Sequence, residues 1–430
     1  MEGLILLLAE ILALPVSLGL TVLADILALA VDAVVELIMW IAGRRSRRRE
    51  EASPTTPPSK RRPIAWKKWK RVTRGVAIAG SALLALMLVA VLIVNWLFLD
   101  ALIRWQLAGV EKKAGIAVTF DSADGNLLAG VVELRDVTFT RSDHEVSQFE
   151  LSADSFRIDL AVMKLLYARA VFEQVDVHRL RGTYQRMGLP EELRTPRTFR
   201  LDRLEVTDVK IEVADHTRPR KVVKAQLQID SLVSEPLRSD WAVFDVLFRS
   251  NAQGRINGQP FSIASGEVSG GRQTRWMGEG LPIELIAPYV GGPLDWITTG
   301  KLDVDVTDRW QLGEETEIEM HWQVVLRDIK AEVPADASAT TRLVAKPVVA
   351  MLNKHAVRLP LEFDLVIDRN RFQFAASPDA VELGRAIGDG LASAVGKLAG
   401  LKPQAVKKAA ADRWNRFKKL LDKPRKGQGD

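Results

Sequence analysis

The side chains best suited to chemistry in this 430-residue chain stand apart from one another. His144, His178, His216, His321 and His355 include no pair at the short spacing with which two imidazoles converge on a metal. Each reads as a surface or strand residue. There is no cysteine, which excludes disulfides, thiolate metal sites and a thiol nucleophile. GEVSGG at 266–271 places its serine one position late for a nucleophile elbow and reads as a turn. No phosphate-binding glycine loop occurs. Asp303 and Asp305 share one strand face and could hold a divalent cation, but a hydrated sheet face explains them more simply. The expectation is a protein without catalytic residues, metal or cofactor.

The most specific carboxylate spacing lies near the start. Residues 3–42 are apolar except for Glu10, Asp25, Asp32 and Glu36. On a helix, Asp25, Asp32 and Glu36 share one narrow face. Ionised carboxylates are costly in lipid, so that face should meet water, a cation or another protein. A solvated edge of an interfacial helix, a partner-binding stripe and an ion pathway all fit. The segment itself fits a helical hairpin, a tilted span or a helix in the interface.

The elements around it have a membrane logic. Residues 44–75 hold thirteen Lys and Arg against Glu50 and Glu51, an excess larger than the net charge of +6, so the rest of the chain is slightly acidic. Residues 52–63 of this stretch are a Pro-rich linker without a core pattern. Trp66, Lys67, Lys68 and Trp69 suit anionic headgroups. Residues 76–99 are uncharged and long enough to span a hydrocarbon core of roughly 30 Å. With the basic stretch kept in the cytoplasm, residues 100–430 are expected on the far side.

After residue 115 the hydrophobic period changes to two. Val132, Leu134, Val137 and Phe139 alternate with charged or polar neighbours, with one slip. The same alternation recurs in LSADSFRIDL, VFEQVDVHRLRGTYQ, FRLDRLEVTDVKIEVAD, AQLQIDSL, KLDVDVTDRWQL, IEMHWQVVLRDIKAEV and LEFDLVIDRNRFQF. Such alternation predicts strands with one apolar and one polar face, joined in a large antiparallel sheet. Residues 161–170, 283–290 and 342–356 are the only internal helices expected.

From Ser377 the pattern is helical. Gly384, Gly388, Ala392, Gly396 and Gly400 recur every fourth position and form a ridge suited to close backbone approach to a helix, a sheet or a membrane surface, and with Asp25, Asp32 and Glu36 they are the candidates for a partner interface. A second helix over 404–422 carries Trp414 and Phe417 on an apolar face among Lys and Arg. It suits either a membrane surface or its own domain.

The order of anchor helix, amphipathic LIRWQLAGVEKKAG, IAVTFDSADGNLLAG, VVELRDVTFTR and LSADSFRIDLAVMKLLYARAVFEQVDVHRLRGTYQR resembles the N-terminal region of the AsmA-like family of bacterial envelope proteins, clearly over 76–260 and loosely over 300–375. The resemblance implies an elongated, curled sheet with an apolar concave face for acyl chains. It also implies a role in phospholipid movement or outer-membrane integrity. Many relatives in that family are longer, and its pattern does not include the acidic first segment. About 15 strands at about 4.8 Å reach only about 70 Å, so partners or further copies would be needed to join two membranes.

The sequence thus predicts a membrane-anchored α+β protein built on a mainly antiparallel, curled β-sheet, with N-terminal transmembrane helices and C-terminal amphipathic helices. The expected divisions are an apolar segment (1–43), a basic linker (44–75), a transmembrane helix (76–99), a β-rich periplasmic domain (100–375) and C-terminal helices (376–430). Groove candidates are Val132, Leu134, Ile158, Leu160, Val175, Val177, Leu204, Val206, Val209, Ile211, Val213, Leu361, Phe363, Leu365 and Ile367. Expected partners are phospholipids or other acyl lipids, the membrane, and a membrane protein or second copy through the N-terminal helices, with no nucleic acid. The place expected is a bacterial inner membrane. The competing expectation is a scaffold with a closed β core that acts through partner-binding helices.

Overall fold

The computed structural model describes residues 100, 101, 103, 104, 107 and 108, then 115–409 with breaks at 127–128, 143–144, 162–169, 189–198, 218–221, 239–241, 312–316, 334–336 and 369–377. The acidic segment with Asp25, Asp32 and Glu36, the basic linker with Trp66–Trp69, the apolar stretch 76–99, and Trp414 with Phe417 lie outside the described residues. Among the described residues no helix is long and apolar enough to cross a membrane.

The alternating stretches fold as strands because each has one face to bury and one to leave in water. They begin with β1 (Ala117–Thr119), β2 (Ser122–Asn126), β3 (Val131–Arg141), β4 (Ser147–Leu160), β5 (Ala170–His178) and β6 (Arg181–Arg186). Next come β7 (Phe199–Asp215), β8 (Val223–Ser234), β9 (Leu237–Arg238), β10 (Ser250–Ile256) and β11 (Gln259–Val268). The series ends with β12 (Gly271–Pro282), β13 (Ile297–Gln311), β14 (Glu317–Ala331) and β15 (Arg358–Asp368). All belong to one sheet, ordered β1-β3-β4-β5-β7-β8-β10-β11-β12-β13-β14-β15, with β2 on β3, β6 between β4 and β7, and β9 on β7. Pairing is antiparallel except where β5 and β6 run parallel to β7.

Among the described residues the sheet is accompanied by α1 (Ala242–Phe248), α2 (Ile283–Val290), α3 (Ala339–Lys354) and α4 (Pro378–Leu398), with a 3-10 turn at Gly292–Trp296, and residues 100, 101, 103, 104, 107, 108 and 403–409 are helical as well. The sequence located α2 and placed α3 three residues late. The cap explains the difference: the Ser338 hydroxyl accepts from the Thr341 amide at 3.1 Å and starts α3 at Ala339. Alternation alone missed α1, whose seven residues are too short to show a helical period. Most of the helix expected at 161–170 lies outside the described residues.

Two lines of left-handed residues crease the sheet. Asp136, Arg179, Asp208 and Asp328 have φ between 51° and 53° although none is glycine. At each, the inward set slips by one: Leu134 and Val137, Val177 and Leu180, Val206 and Val209, and Leu326 and Ile329 are all buried. One extra residue of this kind bends a strand and returns the following apolar side chains to the core. Asp136 faces Asp154 and Asp208 faces Asp230 across the skipped pairs, so the first crease runs through neighbouring strands. The second joins Asp328 to irregularities in β12 and β13 around Gly280 and Gly300.

Helix α2 shows how far the sheet curls. It touches β8, β12 and β13, and its Tyr289 reaches Asp215 at the end of β7. On a flat sheet, β7 and β13 stand five strand steps apart, about 24 Å at about 4.8 Å per step. Eight residues of helix extend about 12 Å. The sheet therefore wraps around α2.

Candidate functional site: the apolar face of the sheet

Strand register assembles one unbroken row of apolar side chains. Leu134 pairs with Phe156, Phe156 with Val177, Val177 with Val206 and Val206 with Leu232. The row continues through Ala252, Ile263, Trp276, Val306 and Trp322 to Phe363. It crosses eleven strands from β3 to β15, and no member is more than 9% exposed. Single-strand alternation cannot show this alignment, because register depends on turns and bulges outside each strand. On the opposite face, Glu133, Arg157, Asp176 and Glu205 follow one another across four strands. Arg275 donates to Asp305 at 2.9 and 2.6 Å. Asp303, the second of the paired acids, accepts from the Gly280 amide and from Arg327, so both are tied into the sheet surface. Among the described residues no three His, Asp or Glu side chains gather as a metal site.

All the groove candidates lie on this inner face, fully buried except Leu365, which is partly buried against the same core. Part of the cover is helical. Phe244 and Phe248 of α1 stack at 5.0 Å and approach Trp310 and Trp276, each at 5.3 Å. At the β15 end, Trp322 stacks on Phe363 at 5.7 Å, and α4 crosses the Phe363 ring at Gly390. None of the four helices makes more than marginal contact with β3, β4 or β5. Ile103 and Leu107 are buried members of the same core.

The ridge of small residues on α4 is occupied inside the protein, which corrects its assignment to a partner interface. A Cβ on Gly388 would stand 2.5 Å from the Val290 carbonyl, and one on Gly396 would stand 3.2 Å from Val406. Gly384 and Ala392 are buried. Gly400 is not part of the ridge: it lies past the end of α4 at φ 68°, with the Leu401 amide bonded back to the Gly396 carbonyl.

Between α2, α4 and the β13–β14 pair lies a cavity of about 30 Å³, with Ile286, Val290, Leu294, Trp322, Ile387 and Leu391 in its wall. Its wall presents no polar group. A bound water needs two to four partners, so the cavity is dry. It is too small for an acyl chain unless α2 or α4 moves.

Two buried carboxylates interrupt the apolar face. Asp215 accepts from Tyr289 Oη at 2.8 Å, from the Thr217 amide at 2.8 Å and from Thr217 Oγ1 at 2.5 Å. Asp308 accepts from Trp276 Nε1 at 3.0 Å and the Thr274 amide at 3.1 Å. Burial pushes the Asp308 carboxyl up to about 7, with these hydrogen bonds acting the other way. Outside the core, His321 Nδ1 lies 2.8 Å from Asp364 Oδ1, and this hydrogen bond raises the imidazole above its ordinary value.

The architecture defines a mixed α+β class: a long, mainly antiparallel sheet with a buried apolar face and a charged outer one. Within that class, residues 113–310 match the family model described as yeast mitochondrial distribution and morphology (MDM) proteins. A curated relative, mitochondrial distribution and morphology protein 31 of Saccharomyces cerevisiae, is 21% identical over 296 residues, covering 53% of this chain and 51% of the relative. The chain thus spans about half the length of that relative. No solved structure matches. These findings overturn two expectations from sequence, the AsmA-like family and the bacterial inner membrane with a periplasmic domain. The pattern that suggested them consists of apolar positions at period two, which any long sheet with one buried face must have.

Proposed function

We propose that this chain takes part in organising a membrane and does so without catalysis, by sheltering lipid acyl chains against the inner face of its curled sheet. The eleven-strand apolar row carries the reading. Acyl chains recognise no polar group and need only a long, continuous apolar surface shielded from water. The section on β3, β4 and β5 is the place for them, because the four helices cover the other end. The name of the yeast relative, which refers to mitochondrial distribution and morphology, supports membrane organisation as the setting.

A second reading rests on a different observation. Every member of the row is buried, and the cavity beside Trp322 has room for about two water-sized spheres. On that reading the sheet is a closed scaffold that works through surfaces elsewhere.

Photo-crosslinking separates the two. The full chain, purified with its membrane lipids and then loaded with a phospholipid bearing a diazirine at its acyl end, is irradiated and mapped by mass spectrometry. Adducts on Leu134, Ile158, Val175 or Val177 support the acyl site. Adducts confined to residues 3–42 and 76–99 leave the closed scaffold as the better account.

A further inference from the structure

Helix α3 has two working sides, and the core accounts for only one. Ala345, Val348, Val349 and Leu352 are buried against the sheet. Opposite them, Arg342, Leu343, Lys346, Ala350 and Lys354 form an exposed stripe, and just past the helix end Val357 and Arg358 are exposed as well, Arg358 on the polar face of β15. Leu343 is 75% exposed and Val357 is 79% exposed, the two most exposed large hydrophobic residues among those described. No Asp or Glu occurs between Ala337 and Leu361. A nearby carboxylate is that of Asp328, whose amide bonds the Val357 carbonyl at 3.5 Å, and Glu362 follows Arg358 on the same face of β15. Lys346, Lys354 and Arg358 hold no ion pair among the described residues.

We propose that this stripe docks on an anionic phospholipid surface, with α3 lying parallel to the bilayer, Leu343 and Val357 entering it and Lys346, Lys354 and Arg358 at headgroup level. A salt-bridged protein interface would call for carboxylates or shaped hydrogen-bonding groups among the cations, and the stripe has none. Two exposed aliphatic side chains bracketing a basic helix match the apolar-below, charged-above layering of an interface. The sixteen residues of α3 extend about 24 Å, enough for the cations to reach several headgroups. This docking is independent of whether acyl chains enter the sheet.

Because the chain lacks cysteine, single labels are clean. The full chain, carrying L343C or V357C with an environment-sensitive fluorophore, is reconstituted in phosphatidylcholine vesicles with or without phosphatidylglycerol. Brominated lipid then serves as a quencher. Quenching at both positions in anionic vesicles, absent in neutral ones and absent for E319C on the polar sheet face, is the expected result. The triple substitution K346Q, K354Q and R358Q should shift the docked fraction roughly a hundredfold, at about 1 kcal/mol per cation, with an unchanged circular-dichroism melt. Labels that stay unquenched in anionic vesicles, or quench equally in neutral ones, overturn the proposal. So does protection from iodide without lipid quenching, which would assign the stripe to a protein contact.

Discussion

Tyr289 Oη donates to Asp215 Oδ2 at 2.8 Å, joining α2 to the end of β7 across 74 residues of sequence. Since α2 also lies against β13, this bond holds one side of the curl to the other. Removing the hydroxyl leaves a buried carboxylate with one donor fewer, a loss of about 1–3 kcal/mol. Tyr289→Phe should therefore lower the denaturation midpoint without changing the slope of the transition. An unchanged midpoint would show that the curl is held by apolar packing alone.

Asp308 makes stability depend on pH in an unusual direction for a carboxylate. Its folded value is raised from 3.8 to about 7, so the folded state binds the proton more tightly than the unfolded chain. The resulting stability is fully present below about pH 4 and is lost as pH rises towards 7. Over that range the change is on the order of a few kcal/mol. Chemical denaturation at pH 5 and pH 8 should show the wild type weakening at the higher pH, while Asp308→Asn flattens that dependence. A wild-type profile with no fall across this window would mean that Asp308 stays ionised throughout.

The creases explain what the sequence did and did not make legible. Period-two alternation located most of the strands, because burial of one face acts residue by residue, but β10, β11 and β12 were not among the stretches it marked. The slips at Asp136, Asp208 and Asp328 look like noise in a one-dimensional pattern. In the sheet each is a left-handed residue that restores the inward face, as in LRDV, VTDV and LRDI. Asp tolerates that conformation better than most residues because its short side chain can bond locally. The row across eleven strands was not legible, since it is a property of register. Nor was the internal use of the α4 ridge, because spacing shows that a backbone can approach something without showing what.

Substitution at a crease tests this account. Asp208 has φ 52° and pairs at 3.7 and 3.6 Å with the exposed Arg181 and Lys210. Those ion pairs contribute little, so conformation should dominate. Asp208→Gly is expected within about 0.5 kcal/mol of the wild type, whereas Asp208→Val should cost about 1–2 kcal/mol from the left-handed strain of a β-branched residue. Equal effects of the two, read from denaturant midpoints, would remove the backbone explanation.

On α4, docking against the sheet and termination of the helix depend on different glycines. A Cβ on Gly390 would meet the Phe363 ring at 2.4 Å, and one on Gly388 would meet the Val290 carbonyl at 2.5 Å. The ring has some freedom, but it is stacked on Trp322 and buried, and the carbonyl belongs to the backbone of α2. Gly388→Ala and Gly390→Ala should each lift α4 from the sheet, although alanine raises intrinsic helix stability by about 1 kcal/mol. Gly400 meets nothing within 4 Å, so Gly400→Ala pays only for its positive φ and should fray the helix end while α4 stays docked. Hydrogen exchange resolves the two cases. The Gly388 and Gly390 variants should lose protection along α4 and at Phe363, and the Gly400 variant only near residues 397–401. Protection retained at Phe363 in the Gly390 variant would mean that the ring yields and that close approach there is incidental.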